Sequence, residues 1–209
     1  MVSNRTFITT VVAFLAFTAI CLIYGDFVTI PSNMTSSLSV PIEVTLSPET
    51  SERSILGSAK LCITLTNISP YEIFLLRWSS PLDLSAPSIG VVTFTSTKTG
   101  TKAPCLDMKI NHRVPPDGHF SIDDQSIVRI PANDKVDAVV EFKEPKVALV
   151  KGEEYSAKAE GTWMGVWVNE SGQKVEKLSM GDGMRTGEFA SNKVVFKVPG
   201  EGEGPELRE

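Results

Sequence analysis

The stretch LVKGEEYSAKA at residues 149–159 decides the fold. It has the form Leu-x-x-Gly-x-x-Tyr and continues as an alternation in which Tyr155, Ala157 and Ala159 are separated by polar residues. Successive side chains of a strand point to opposite faces, so this alternation predicts a strand with one face in a core. A tyrosine at the head of such a strand is typical of a corner in which its hydroxyl bonds to upstream backbone. The stretch therefore predicts a strand that begins near Tyr155 in an antiparallel sandwich.

The same alternation of apolar and polar residues recurs along most of the chain. Turn residues, such as Pro-Pro-Asp-Gly at 115–118, separate the runs, and no window has a convincing helical period. Regular runs lie at 40–46, 60–66, 106–110, 137–142, 155–159 and 193–198, and less regular ones at 74–78 and 91–95. The sequence therefore predicts an all-β protein, an immunoglobulin-like antiparallel β-sandwich of about seven or eight strands over residues 39–198.

The beginning of the chain has the pattern of a secretory signal. Residues 1–7 carry a single positive charge, Arg5, and residues 8–24 are almost purely apolar. This predicts a signal peptide over residues 1–25, cleaved after Gly25, and a secreted, extracellular protein. The alternative is an uncleaved signal anchor, since about 17 apolar residues reach the lower limit of a membrane span. In that case residues 8–24 would anchor the protein in a membrane.

Two polar segments flank the predicted sandwich. Residues 26–38 are rich in serine, threonine, proline and asparagine, which predicts a linker. Residues 199–209 contain glycines, prolines and four glutamates, which predicts a disordered acidic tail.

The cysteines fit a secretory route. Cys21 lies within the predicted signal, which leaves Cys62 and Cys105 as an even pair in an oxidising compartment. We therefore expect these two to form a disulfide, and the alternative is two free thiols. By alternation both fall on the polar faces of their strands, so the bridge would lie at the surface of a sheet and would contribute about 3–4 kcal/mol.

Three Asn-x-Ser/Thr sequons predict glycosylation, at Asn33, Asn67 and Asn169. The second is weakened by Pro70, which directly follows its serine. Three such sites after a signal pattern support passage through a eukaryotic secretory pathway.

Composition and motifs argue against nucleic-acid binding and against catalysis. The 209-residue chain has a formal net charge of −5, so no basic surface exists to neutralise phosphates. Its two histidines, His112 and His119, lie outside any zinc-binding motif, and no nucleophile elbow or phosphate loop is present. A metal site at these histidines would need further ligands, and only Asp117 and the two aspartates at 123–124 are near in sequence. The sequence predicts no cofactor, no metal site and no enzyme.

The most unusual segment is GTWMGVWV at residues 161–168. It predicts a partner surface made of Trp163, Met164 and Trp167, in which the two tryptophans share one face of a strand. Such an exposed aromatic patch would contact a protein or a glycan. The alternative is that these rings pack in the core or at a sheet edge, since large aromatic side chains usually bury most of their surface.

Several short motifs occur in a fixed order along the body. They are LTN at 65–67, FLLR at 74–77, SPLD at 80–83, the run 127–140, LVKGEEYSA at 149–157 and SN at 191–192. In this order they resemble the propeptide of fungal deuterolysin-type zinc metalloproteases, over about residues 39–198. The resemblance implies a fold and a partner, but no catalytic residue, because the family's zinc motif is missing from this sequence.

The resemblance implies a stand-alone, propeptide-like binding module that inhibits a metalloprotease or assists its folding. One alternative is a cell-surface or cell-wall structural protein without a protease partner, which the anchor pattern and the sequons would fit. Another is an enzyme of unrecognised type, and the only sequence feature that favours it is the loop between His112 and His119. A membrane is a partner only if the signal remains uncleaved.

Overall fold

A computed structural model describes residues 39–49 and 56–200. The predicted signal, the linker, Asn33 and all but the start of the acidic tail lie outside the described residues. Within the described ranges, no helix is long and apolar enough to cross a membrane.

The described chain consists of eleven strands and one short helix, all strand pairs being antiparallel. The elements are β1 (Ile42–Pro48), β2 (Ala59–Asn67), β3 (Ile73–Leu76), α1 (Ala86–Ile89), β4 (Val92–Ser96), β5 (His119–Ser121), β6 (Ile127–Ile130), β7 (Lys135–Phe142), β8 (Glu154–Val168), β9 (Lys177–Ser179), β10 (Met184–Ala190) and β11 (Val194–Lys197).

The first sheet has the strand order β1-β2-β7. Its central strand, β2, alternates strictly between buried and half-buried residues, as its sequence predicts. Leu61, Ile63 and Leu65 are completely buried on one face. The alternation in β2 therefore covers the core with one face only.

The second sheet is organised around the long strand β8. The first half of β8 pairs with β4 on one side and β11 on the other, and the second half pairs with β3 and β10. Strand β6 extends this sheet beyond β3. Side chains from both sheets form the main core, among them Ile63, Phe94, Ala157 and Val166. The prediction of an all-β antiparallel sandwich is confirmed.

The predicted tyrosine corner is present. The hydroxyl of Tyr155 accepts a hydrogen bond from the backbone N–H of Val150 at 3.2 Å and donates one to the Glu153 carboxylate at 3.3 Å. Gly152 supplies the left-handed backbone of the turn, with a φ of 75°. The corner fixes the start of β8 against the segment that precedes it.

Replacing Tyr155 with phenylalanine is expected to lower the free energy of unfolding by about 1 kcal/mol. The ring stays in the core, but the Val150 N–H loses its acceptor. Urea unfolding followed by fluorescence would measure the change. An unchanged midpoint and slope would contradict a stabilising role for the corner.

The apolar run in β3 is continuous because both faces of this strand are covered. All four residues of β3 are buried; Ile73 and Leu75 belong to the main core, whereas Phe74 and Leu76 face a second cluster. The second cluster consists of Phe74, Leu76, Phe120, Ile127, Trp167 and Leu178. Strands β5 and β9, which pair with each other, contribute Phe120 and Leu178. A strand without alternation is expected where both of its faces are buried.

The strand predicted at residues 106–110 is absent. This segment is irregular, and Leu106 and Met108 are about half exposed, at 48% and 49%. Its backbone is held by two isolated bonds, from Leu106 N–H to the Lys146 carbonyl and from Met108 N–H to the Ser88 carbonyl. The alternation was correct, but no strand lies beside it to complete a ladder within the described residues.

The predicted disulfide is wrong for this structure, in which both cysteines are free. Cys62 is half-buried on the outward face of β2, and its neighbours across the sheet are Ser47 and Val139. Cys105 is exposed in the irregular segment, and its sulfur lies beside Gly90. The expected polar face of β2 is confirmed for Cys62, but Cys105 has no place in a strand at all.

Candidate functional site

A β-bulge interrupts the middle of β8. Gly187 of β10 lies opposite Trp163, but Arg185, two residues earlier in β10, lies opposite Val166, three residues further along β8. Strand β8 therefore contains one extra residue at positions 164–165. Because side chains alternate along a strand, the extra residue reverses the faces of everything that follows it.

The bulge places the two tryptophans on opposite faces of the sheet, so the prediction that they share a face is wrong. Trp163 is 1% exposed in the main core and packs against Phe189, with ring centroids 4.3 Å apart. Trp167 is 6% exposed in the second cluster, and its indole N–H donates to the Ser179 carbonyl at 2.9 Å. Neither ring offers a surface to a partner, so the packing alternative describes both.

The bulge leaves Met164 exposed, at 45%. Met164 lines a groove of about 470 Å³ together with Met108, Ile110 and Ile89. We call this feature the methionine groove, defined by these four residues. Met108 and Ile110 belong to the irregular segment that had been predicted as a strand, and they are 49% and 36% exposed. The one partner-surface residue that remains exposed therefore shares a groove with three other apolar side chains.

The groove opens where β8 lacks a strand on one side. Among the described residues, pairing with β4 ends at Ala159 and pairing with β3 begins at Val166. Between them, the Glu160 N–H bonds to the Val91 carbonyl and closes one end of the gap. The floor of the groove is formed by residues 160–162. A flexible thioether lining in such an opening can adapt to differently shaped partners.

The comparison with known families agrees with this architecture, since residues 43–198 match the family model of the immunoglobulin-like domain. The chain belongs to this family. No curated protein matches the chain. The family is typically non-catalytic, which indicates a binding or structural module.

The rim of the methionine groove in this immunoglobulin-like domain carries both signs of charge, from Asp107, Lys109 and Glu160. Lys158 donates a hydrogen bond of 2.8 Å to Glu160 and thereby holds the pKa of that carboxyl below its ordinary value; Lys102 adds to the effect. Glu160 therefore keeps its negative charge in mildly acidic solution. A partner bound in the groove would therefore contact both positive and negative side chains at its rim.

The two histidines do not form a common site. His112 stacks on Trp78, with ring centroids 4.6 Å apart and planes 8° apart, and its Nε2 lies 3.9 Å from the Asp83 carboxylate. His119 is exposed and its Nδ1 lies 2.6 Å from the Asp117 carbonyl oxygen. In the parts of the domain that the structure describes, no three potential ligands cluster in a way that would hold a metal. His112 is positioned to tie the irregular segment to the sandwich.

The two described sequons lie in different environments. Asn67 is fully buried, and its side-chain nitrogen donates to three backbone carbonyls. The folded domain leaves no room for a glycan there, because the nitrogen that would carry the sugar is fully engaged in the interior. Asn169 is half-buried in a turn and donates to the Gln173 carbonyl at 3.0 Å. Glycosylation at Asn169 remains a prediction.

Proposed function

We propose that this domain is a non-catalytic protein-binding module and that the methionine groove is its partner surface. The observation that carries the proposal is the bulge in β8, which exposes Met164 beside Met108 and Ile110. Bulges often re-aim side chains at functional positions, and exposed apolar patches mark interaction surfaces. The family's typical lack of catalysis supports a binding role as well.

We propose a deuterolysin-type zinc metalloprotease as the partner, which the domain would inhibit or help to fold. The support is the order of motifs described above. The most specific of them, SPLD at 80–83, forms a buried turn in which Asp83 accepts hydrogen bonds from the backbone of Ser79 and Ser85, both at 2.8 Å. Ser79, the residue before this motif, lines the methionine groove. The signal pattern favours an encounter outside the cell.

The test uses the purified domain and a deuterolysin-type zinc metalloprotease. We expect the two to co-elute and the protease to lose activity as the domain is added. Met164→Glu is expected to weaken binding roughly tenfold or more, because it replaces an apolar contact in the groove with a charge. Ile68→Glu is the matched control: Ile68 is 54% exposed in the turn after β2 and should leave binding unchanged.

Two outcomes would contradict different parts of the proposal. If no complex forms and neither activity nor refolding of the protease changes, the metalloprotease is not the partner. If Met164→Glu and Ile68→Glu bind as well as the original protein, the methionine groove is not the surface. Recovery of the protein with an intact N-terminus from the wall or membrane fraction would favour an anchored role.

A further inference from the structure

The strand β7 has a free edge. In the described sheet it pairs with β2 alone. Asn67 N–H bonds to the Asp134 carbonyl in the same register, so the even-numbered residues direct their backbone groups to β2. In an antiparallel ladder the alternate residues direct theirs away. The N–H and C=O groups of Val139 and Glu141 therefore point to the open side.

A groove lies along this edge. It has a volume of about 430 Å³ and is bordered by β7, by the segment from Leu82 to Pro87 and by the turn at 143–146. We call it the edge groove. Its walls include Leu84, which is 82% exposed, and Val139, which is 55% exposed. These apolar side chains stand next to unpaired backbone groups, as a docking site for an extended chain requires.

Two polar atoms at the edge groove lack partners. Arg77 Nε and Glu141 Oε1 are both buried and find no hydrogen-bond partner among the described residues. Both residues line the groove. The other oxygen of Glu141 is already bound by Lys143 at 2.5 Å, and both oxygens of Asp83 accept backbone N–H groups. Because the guanidinium of Arg77 lines the groove and lacks an acceptor at Nε, a carboxylate that enters the groove would form a charge-assisted pair with this side chain.

We propose that the edge groove binds an extended peptide segment of a partner protein by strand addition to β7, with one peptide carboxylate on Arg77. The peptide backbone pairs with the free groups of Val139 and Glu141. An apolar side chain beside the carboxylate packs against Leu84 and Val139. A peptide N–H or hydroxyl donates to Glu141 Oε1. This site is separate from the methionine groove and does not depend on the proposed protease partner.

Amide hydrogen exchange tests the geometry without any ligand. In the free domain, the amides of Val139 and Glu141 should exchange at least roughly tenfold faster than those of Ala138 and Val140, which point to β2. Equal, strong protection of all four amides would overturn the proposal, because the edge would then not be free.

Binding is tested with a fluorescein-labelled peptide of about seven residues, alternating valine and threonine around one central aspartate, and blocked at both ends. We expect saturable binding by anisotropy at micromolar concentrations, and slowed exchange at Val139 and Glu141. N-methylation of the peptide amides that face β7 should weaken binding roughly tenfold or more, because it removes main-chain pairing. The same peptide with asparagine for aspartate should bind more weakly.

Two variants complete the test. Val139→Pro removes a donor from the open side only and should abolish binding, since proline is tolerated on a strand edge. Arg77→Gln should erase the difference between the aspartate and asparagine peptides. The N-methylated peptide keeps the test valid if either variant folds poorly. No binding at about 1 mM, or binding that ignores N-methylation, overturns the proposal. So does a dimer of the domain that Val139→Pro separates, because the edge would then receive a second copy.

Discussion

Replacing Asn67 with alanine is expected to lower the free energy of unfolding by about 3–5 kcal/mol. The side-chain nitrogen donates to the carbonyls of Tyr71 at 2.7 Å, Pro131 at 2.8 Å and Ile130 at 3.2 Å. Its oxygen accepts the N–H and the hydroxyl of Ser69, at 2.9 and 2.8 Å. Alanine leaves these groups without their partner in the interior. Urea unfolding of protein made without glycosylation would measure the loss.

Asn169→Ala is the matched control for this prediction. Asn169 is also a sequon asparagine, but its hydrogen bond to Gln173 lies in an exposed turn. We expect its replacement to change the free energy of unfolding by less than about 0.5 kcal/mol. If both variants unfold at the same urea concentration as the original protein, the buried network around Asn67 does not stabilise the domain.

Replacing Asn192 with aspartate is expected to lower the free energy of unfolding by about 2 kcal/mol at neutral pH. Asn192 lies between β10 and β11 of the second sheet, yet its amide bonds to Leu46 in β1 of the first. It accepts the Leu46 N–H at 2.7 Å and donates to the Leu46 carbonyl at 3.0 Å. Aspartate can still accept the Leu46 N–H, but its second oxygen would face the Leu46 carbonyl oxygen and repel it. One of the two hydrogen bonds to Leu46 is therefore lost.

Thermal and urea unfolding of Asn192→Asp would check this result, with Lys193→Ala as the neighbouring control. Lys193 is exposed, as Asn192 is, but its side chain takes no part in the two hydrogen bonds to Leu46, so we expect its replacement to have an effect within about 0.5 kcal/mol. If Asn192→Asp and Lys193→Ala behave alike, the bridge to Leu46 does not hold the two sheets together.

Alternation predicted the longer strands in which one face is buried, but it missed the short β5 and β9 and the irregular β10. It located β2, β7 and the first half of β8, and the Leu-x-x-Gly-x-x-Tyr pattern located the corner at Tyr155. It failed at residues 106–110, because a strand also requires a neighbour, and one segment read by itself does not reveal whether a neighbour exists. Strand β3 shows no alternation because both of its faces are buried, one in the main core and one in the second cluster.

The candidate surface was only partly predictable. The sequence identified Met164 as a surface residue, but it did not show that Trp163 and Trp167 are buried on opposite faces. That difference comes from the bulge, and a bulge depends on the register between two strands. Met108 and Ile110 were missed because their alternation resembled that of a half-buried strand. The edge groove with its unpaired Arg77 and Glu141 atoms could not be predicted either. The free edge of β7 follows from its pairing with β2, which is distant in sequence.

The second cluster makes this domain three layers deep at one end. Phe74 and Trp167 project from the sheet away from the main core, and Phe120 and Leu178 of the β5–β9 pair shield them. A shortened version that omits residues 119–121 or 177–179 would expose apolar side chains of the second cluster and would be expected to aggregate. The short strands β5 and β9, which lie outside the two main sheets, therefore protect the domain from aggregation.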